Sequence, residues 1–313
     1  MMTKKSMKGR PQVKKSHLKY VGIQNKTLER YEESTRIFFK WLKTNRLPMP
    51  NDLNKLDELA GDFVNVLYLD DRPMHWAVDF ACGIKRLYPK CSKVLHITSS
   101  YIKNWQRTTR RKRAIPLKKE IILALAAIAI LKKKPRFGLI LLLGFNGLLR
   151  ADEMLQLTFG QISILKPDTL VITFEESKGA KRRNEVESVM IKEASIVPVV
   201  SRIKQGCEDE MRVYEGTYKE FSGDLTALAA QIGLKNDRLT THGIRRGGAT
   251  WFFSETASYD RTQEQGRWEC SKTAKTYING AMAEMGAATI PEWGQKRLTK
   301  AVNCLDNLLQ RVV

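Results

Sequence analysis

His242-Gly243-Ile244-Arg245-Arg246-Gly247-Gly248-Ala249 sets a histidine and an arginine three residues apart at the start of a segment with helical spacing. At i and i+3 the two side chains share a helix face, so both can reach one anionic group. Taken alone, the default reading is a hydrogen-bonded histidine beside a surface arginine. Toward the C-terminus, Gly266-Arg267-Trp268 puts Trp268 23 residues beyond Arg245, and Tyr277 follows nine residues later in a helix expected from Ser271. Tyr277 alone would read as a half-buried packing residue. Toward the N-terminus, Gly147-Leu148-Leu149-Arg150-Ala151-Asp152-Glu153 interrupts an apolar stretch with an arginine, whose plain reading is a structural ion pair with Glu153. Between these stretches, Leu170 to Phe174 and Val186 to Ile191 read as two β-strands flanking a basic turn, Ser177 to Arg183, with Lys178 at its tip.

The rest of the chain supplies the setting. Its 313 residues suggest about two domains. Hydrophobic residues at 42% exclude a disordered or fibrous chain. From Thr27 to Trp105 apolar residues recur at helical spacing, with breaks at Pro48, Pro50, Pro73 and Pro89, and predict a bundle of about four helices. Arg107, Arg110, Arg111, Lys112 and Arg113, closed by Pro116, form a basic linker that suits either a solvated face or a strap along a phosphate backbone. The predicted organisation is a basic tail over 1–20, a helical domain over 21–106, a linker over 107–116, a mainly α domain with a small β-hairpin over 117–288, and a terminal amphipathic helix over 289–313. That last helix carries Leu298, Ala301, Val302, Leu305, Leu308 and Leu309 as an apolar stripe.

The formal charge of +21 points to a polyanionic partner. A membrane is not expected, because the apolar runs Ile121 to Leu131 and Phe137 to Leu149 fall short of the ~20 residues needed to span one. The basic N-terminus has no apolar run that would serve as a secretion signal. Five scattered cysteines without a Cys-x-x-Cys pair argue against a disulfide framework or a structural zinc site and for a reducing compartment.

Taken together, Arg150, Lys178, His242, Arg245, Trp268 and Tyr277 resemble the catalytic constellation of the tyrosine recombinases, also called the phage integrase family. The resemblance spans about 160 residues, and the preceding helical unit is similar to the family's DNA-gripping N-terminal domain. It implies a two-domain C-clamp acting on double-stranded DNA, with Tyr277 attacking a phosphodiester to give a 3′-phosphotyrosine. Arg150 and Arg245 would hold the non-bridging oxygens, where planar, permanently charged forks suit a pentavalent phosphorus. Lys178 would protonate the leaving 5′-oxygen, with Lys181 as its rival, and His242 would act as general base. Trp268 stands where many members carry a second histidine; its indole N–H can donate but cannot shuttle a proton. Glu153 would support Arg150, and Arg107, Arg110, Arg111, Lys112, Arg113, Lys181, Arg182 and Arg183 would bind DNA.

The resemblance further implies Holliday-junction recombination by a homotetramer on two DNA sites, a dimer per site, with the terminal helix docking on a neighbouring protomer. No metal or ATP is expected, since a phosphotyrosine stores the bond energy and the sequence has neither a Walker loop nor the clustered carboxylates of a two-metal nuclease. Two alternatives stay open: a type IB topoisomerase, and an inactive DNA-binding relative. The Arg-Arg-Gly-Gly-Ala-Thr run resembles recombinases of eukaryotic mobile elements. The expected location is intracellular and DNA-associated, in a nucleus or a nucleoid.

Overall fold

The computed structural model describes residues 23–109, 113–175, 185–234 and 239–311. Lys178, Lys181, Arg182, Arg183, Arg110, Arg111, Lys112 and the basic tail lie outside them. The chain forms two compact units that part between Arg111 and Lys112.

The first unit holds α1 (Asn25–Thr44), α2 (Leu53–Leu69), α3 (His75–Leu87), a 3-10 turn (Pro89–Lys93) and α4 (His96–Thr108). Its core centres on Phe38, whose ring lies 4.8 Å from Phe80 and 5.3 Å from Phe63. Asp57 on α2 is buried, yet its carboxylate accepts from the backbone N–H groups of Ile97 (2.8 Å) and Thr98 (2.9 Å). It therefore satisfies the free donors at the start of α4 from a neighbouring helix.

The second unit begins with the two apolar helices α5 (Lys119–Leu131) and α6 (Pro135–Asn146), both enclosed in one large core. Next come α7 (Ala151–Gln156) and an antiparallel sheet in the order β1 (Ile162–Lys166), β2 (Thr169–Phe174), β3 (Glu187–Lys192). The expected hairpin is thus widened by a third strand. Only Ile162 of β1 is buried, so this strand carries no alternating pattern by which sequence would reveal it. The unit closes with α8 (Val197–Gln205), α9 (Tyr218–Ala230), α10 (Thr241–Thr256), α11 (Tyr259–Gln265), α12 (Ser271–Tyr277), α13 (Gly280–Ala288) and α14 (Glu292–Arg311).

Two features differ from the sequence reading. Helix α6 ends at Asn146 instead of running to Leu149, because Leu148 turns left-handed at φ 47°. Leu149 N–H then bonds Gly144 O (2.9 Å) and Leu148 N–H bonds Phe145 O (3.3 Å), the paired bonds of a Schellman ending. The stripe on α14, expected to dock on another protomer, is occupied within the chain. Leu298, Ala301 and Leu305 are buried against α5 in the main core, where the apolar surface leaves water without needing a partner.

Among the described residues no helix is long and apolar enough to cross a membrane.

Candidate active site

The Schellman ending of α6 delivers Arg150 to the N-cap of α7 in extended backbone. There the Arg150 N–H donates to Glu153 Oε2 (2.7 Å) and its Nη1 donates to Glu153 Oε1 (2.5 Å). The same Nη1 reaches Glu187 Oε2 at 3.4 Å, and Nη2 donates to the carbonyl of Arg267 at 3.3 Å. Arg150 is thus the structural partner of Glu153 and still 29% exposed, which leaves part of its guanidinium open to a ligand.

Helix α10 supplies His242 and Arg245. Gly247 and Gly248 allow that helix to pack against backbone, since a Cβ on Gly247 would strike the Leu117 carbonyl and one on Gly248 that of Phe145. Arg245 is buried to 2% exposure, with Nη1 donating to Leu148 O and Nη2 to Gly266 O (2.6 Å). Its guanidinium lies 4.8 Å from the Trp268 ring and 5.6 Å from that of Tyr277. Burial, with the neighbouring charges of Arg150 and Arg267, lowers its pKa to about 10 against the pull of Glu153. It stays charged at neutral pH.

A second Schellman ending closes α11, with Arg267 N–H bonding Glu264 O (2.9 Å), Trp268 N–H bonding Gln263 O (3.0 Å), and Arg267 at φ 52°. It presents Trp268 to a small apolar cluster with Leu148, Ala249 and Ala274, against which Tyr277 packs. The Tyr277 ring lies 4.7 Å from Trp268 and 5.1 Å from His242. Thr250 fixes the backbone around Tyr277: its hydroxyl accepts from Asn279 N–H (3.1 Å) and lies 3.4 Å from Tyr277 O. His242 keeps an exposed edge, while burial of its other side and the charges of Arg245 and Arg246 push its pKa below the ordinary histidine range. A neutral imidazole beside a phenol can take its proton.

Beneath the arginines, burial alone would raise the Glu153 pKa, but Arg267, Arg150, the Arg150 N–H and Arg245 together hold it below the ordinary range. Three guanidinium groups (Arg150, Arg245, Arg267) face two carboxylates (Glu153, Glu187), a net positive charge that matches one anionic ligand such as a phosphodiester. Among the described residues no group of three or more His, Cys, Asp or Glu is placed to hold a metal ion.

Residues 117–284, more than half of the chain, match the phage integrase family. The chain belongs to the phage integrase family of tyrosine recombinases. Among solved structures, the XerH site-specific recombinase bound to palindromic difH substrate in a post-cleavage complex superposes with a TM-score of 0.56. The identity is 15%, over 80% of this chain and 75% of that one. The pre-cleavage XerH complex with difH gives 0.52 at 16% identity, over 83% and 78%. At such identities the likeness is one of fold. No curated protein matches the sequence.

Five of the six residues singled out in this recombinase's sequence come together: Arg150, His242, Arg245, Trp268 and Tyr277. Lys178 lies outside the described residues, as does its rival Lys181. Of the expected DNA-binding residues that are described, Arg107 sits in the last turn of α4, 3.4 Å from the Asn104 side chain. Arg113 is exposed, and its charge acts on Arg246. Sequence reasoning passed over Glu187, Arg267 and Thr250. Glu187 was legible in principle, since it has the parity of Val189 and Ile191 and so occupies the buried face of β3.

Proposed function

We propose that this protein is a site-specific DNA recombinase that cuts and rejoins strands through Tyr277. The observation carrying this reading is the convergence of His242, Arg245, Trp268 and Tyr277 with the Glu153-held Arg150. The phenol oxygen attacks phosphorus, the bond to the 5′-oxygen breaks, and a 3′-phosphotyrosine and a free 5′-hydroxyl result. His242 takes the phenol proton, and Lys178, or Lys181 in its place, returns one to the departing 5′-oxygen. Arg150 and Arg245 stabilise the negative charge that gathers on the non-bridging oxygens, while the Trp268 indole N–H adds a donor. Rejoining is the reverse, with the 5′-hydroxyl of a second strand as nucleophile. The ester keeps the energy of the broken bond, so the cycle requires neither ATP nor a metal ion.

Double-stranded DNA is the proposed substrate, gripped by the helical unit, the linker 107–116 and the basic segment 176–184, and the location is wherever the cell keeps its DNA. The XerH complexes, which hold difH DNA, support this partner. Recombination through a Holliday junction requires two sites and two protomers on each, hence a tetramer.

A suicide substrate nicked beside the cleavage position tests the reading. The wild-type chain should form an EDTA-resistant adduct joined to a DNA 3′ end, and Tyr277→Phe should abolish it while DNA binding survives. Absence of an adduct would indicate an inactive DNA-binding relative. An adduct without Holliday junctions on paired sites would favour a topoisomerase.

A further inference from the structure

We infer that Arg267 is a positioning residue, holding the Glu153 carboxylate and through it the Arg150 guanidinium in the geometry that cleavage needs. The inference rests on the recombinase reading of the site.

The Arg267 side chain is 6% exposed. Its Nη2 donates to Glu153 Oε2 at 2.9 Å and lies 3.4 Å from Leu148 O, and its guanidinium face stands 4.6 Å over the Phe174 ring. Its backbone carbonyl accepts from Arg150 Nη2. Arg150 and Arg267 are therefore linked twice, once directly and once through Glu153. A planar guanidinium can use its edge on a carboxylate and its face on an aromatic ring together, which an ammonium cannot.

The backbone adds a second argument. Left-handed residues after helices also occur at Arg46, Asp71, Lys133 and Ala257, and all four are exposed. At Leu148 and Arg267 the same conformation, which strains a side chain, turns the residue inward instead. These two residues sit at the turns that deliver Arg150 and Trp268. Glycine would relieve the strain at position 267, but it would leave Glu153 held from one side only. Arg150, long and partly exposed, would then lose the fixed counter-charge that orients it.

The test uses the full chain and the suicide substrate, with adduct formation followed in a single turnover at saturating DNA, the DNA Kd and the melting temperature. Arg267→Met should form adduct about 10²-fold more slowly, the scale of a misplaced reacting group, with Kd unchanged, and Arg267→Lys should restore part of the rate. In an Arg150→Ala background, adding Arg267→Met should change the rate by less than about twofold, because the group it positions is gone. A wild-type rate in Arg267→Met, an equal further loss in the Arg150→Ala background, or a defect confined to Kd would each overturn the proposal. Should Arg267→Met unfold, Glu153→Gln combined with Arg267→Met removes both buried charges and allows the fold to persist. This pair should then cleave slowly, and a rate equal to wild type, or failure of this pair to fold as well, would make Arg267 a structural residue only. If the wild-type chain forms no adduct, the recombinase reading falls first and the inference with it.

Discussion

Arg245 does two jobs with one guanidinium. Its two terminal nitrogens donate to the Leu148 and Gly266 carbonyls, which tie the two Schellman turns together, and its guanidinium lies near the rings of Trp268 and Tyr277. Arg245→Ala should therefore cost ~2–4 kcal/mol of stability, because the Gly266 carbonyl loses its Arg245 donor and the Leu148 carbonyl keeps only the longer contact from Arg267. Its slow cleavage would have to be measured well below its melting point. Arg150→Ala is the cleaner probe, since Arg267 still satisfies Glu153. It should melt close to wild type and bind DNA normally but cleave at least ~10²-fold more slowly, as single-turnover adduct formation would show. For His242 the sign follows from burial and the adjacent arginines. Its lowered pKa keeps the imidazole neutral to below the ordinary ~6.5, so with His242 in the proposed role of base the acid limb of adduct formation should lie under that value and disappear in His242→Gln. An acid limb at or above 6.5 would remove His242 from the role of base. Stability follows the same direction: as pH falls, the unfolded chain binds the proton first, so any contribution from His242 is lost on the acid side.

At the scale of elements, α10 decides whether a site forms. Its close approach to the backbone of Leu117 and Phe145 depends on Gly247 and Gly248, and the segment before α5 is bonded to it through Leu117 N–H to Gly243 O at 3.1 Å. Gly247→Ala would drive a methyl group into the Leu117 carbonyl. It should destabilise the protein by ~1–3 kcal/mol and slow cleavage by shifting His242 and Arg245, measurable by denaturant melts beside adduct assays. Helix α14 is a core element of this unit, so Leu298→Ala and Leu305→Ala should each cost ~2–5 kcal/mol. Deleting residues 295 to 313 should unfold the catalytic unit in circular dichroism melts. Survival of a stable monomer after that deletion would return the helix to a role between protomers.

At the scale of the molecule, two units with separate cores are joined at a basic stretch, and the formal charge of +21 is spread over both. Binding of the proposed DNA substrate should weaken steeply with salt. Neutralising Arg107, Arg110, Arg111 and Arg113 should flatten the dependence of log K on log salt by about one unit for each DNA phosphate left without its cation, for every DNA sequence alike. An unchanged slope would make these residues a solvated surface.

The sequence by itself determined the two helical assemblies, the apolar pair α5 and α6, the strands β2 and β3, and the order and spacing of the residues that now surround Tyr277. Those features are written in apolar periodicity and in motifs a few residues long, which depend on local geometry. Only the tertiary structure decided what each charged side chain meets. Glu153 pairs with Arg267 across 114 positions of chain, and Arg150 meets Glu187 across 37. A buried ion pair leaves no periodic trace at such separations, because its partners are chosen by packing. Strand β1 escaped notice because one buried residue makes no pattern, and the packing of α14 against α5 was not legible because an amphipathic stripe requires apolar cover without specifying whose. The left-handed turns at Leu148 and Arg267 were hidden for a related reason. Neither residue is glycine, and what compensates the local strain is the set of long-range bonds to Arg245, Glu153 and Arg150.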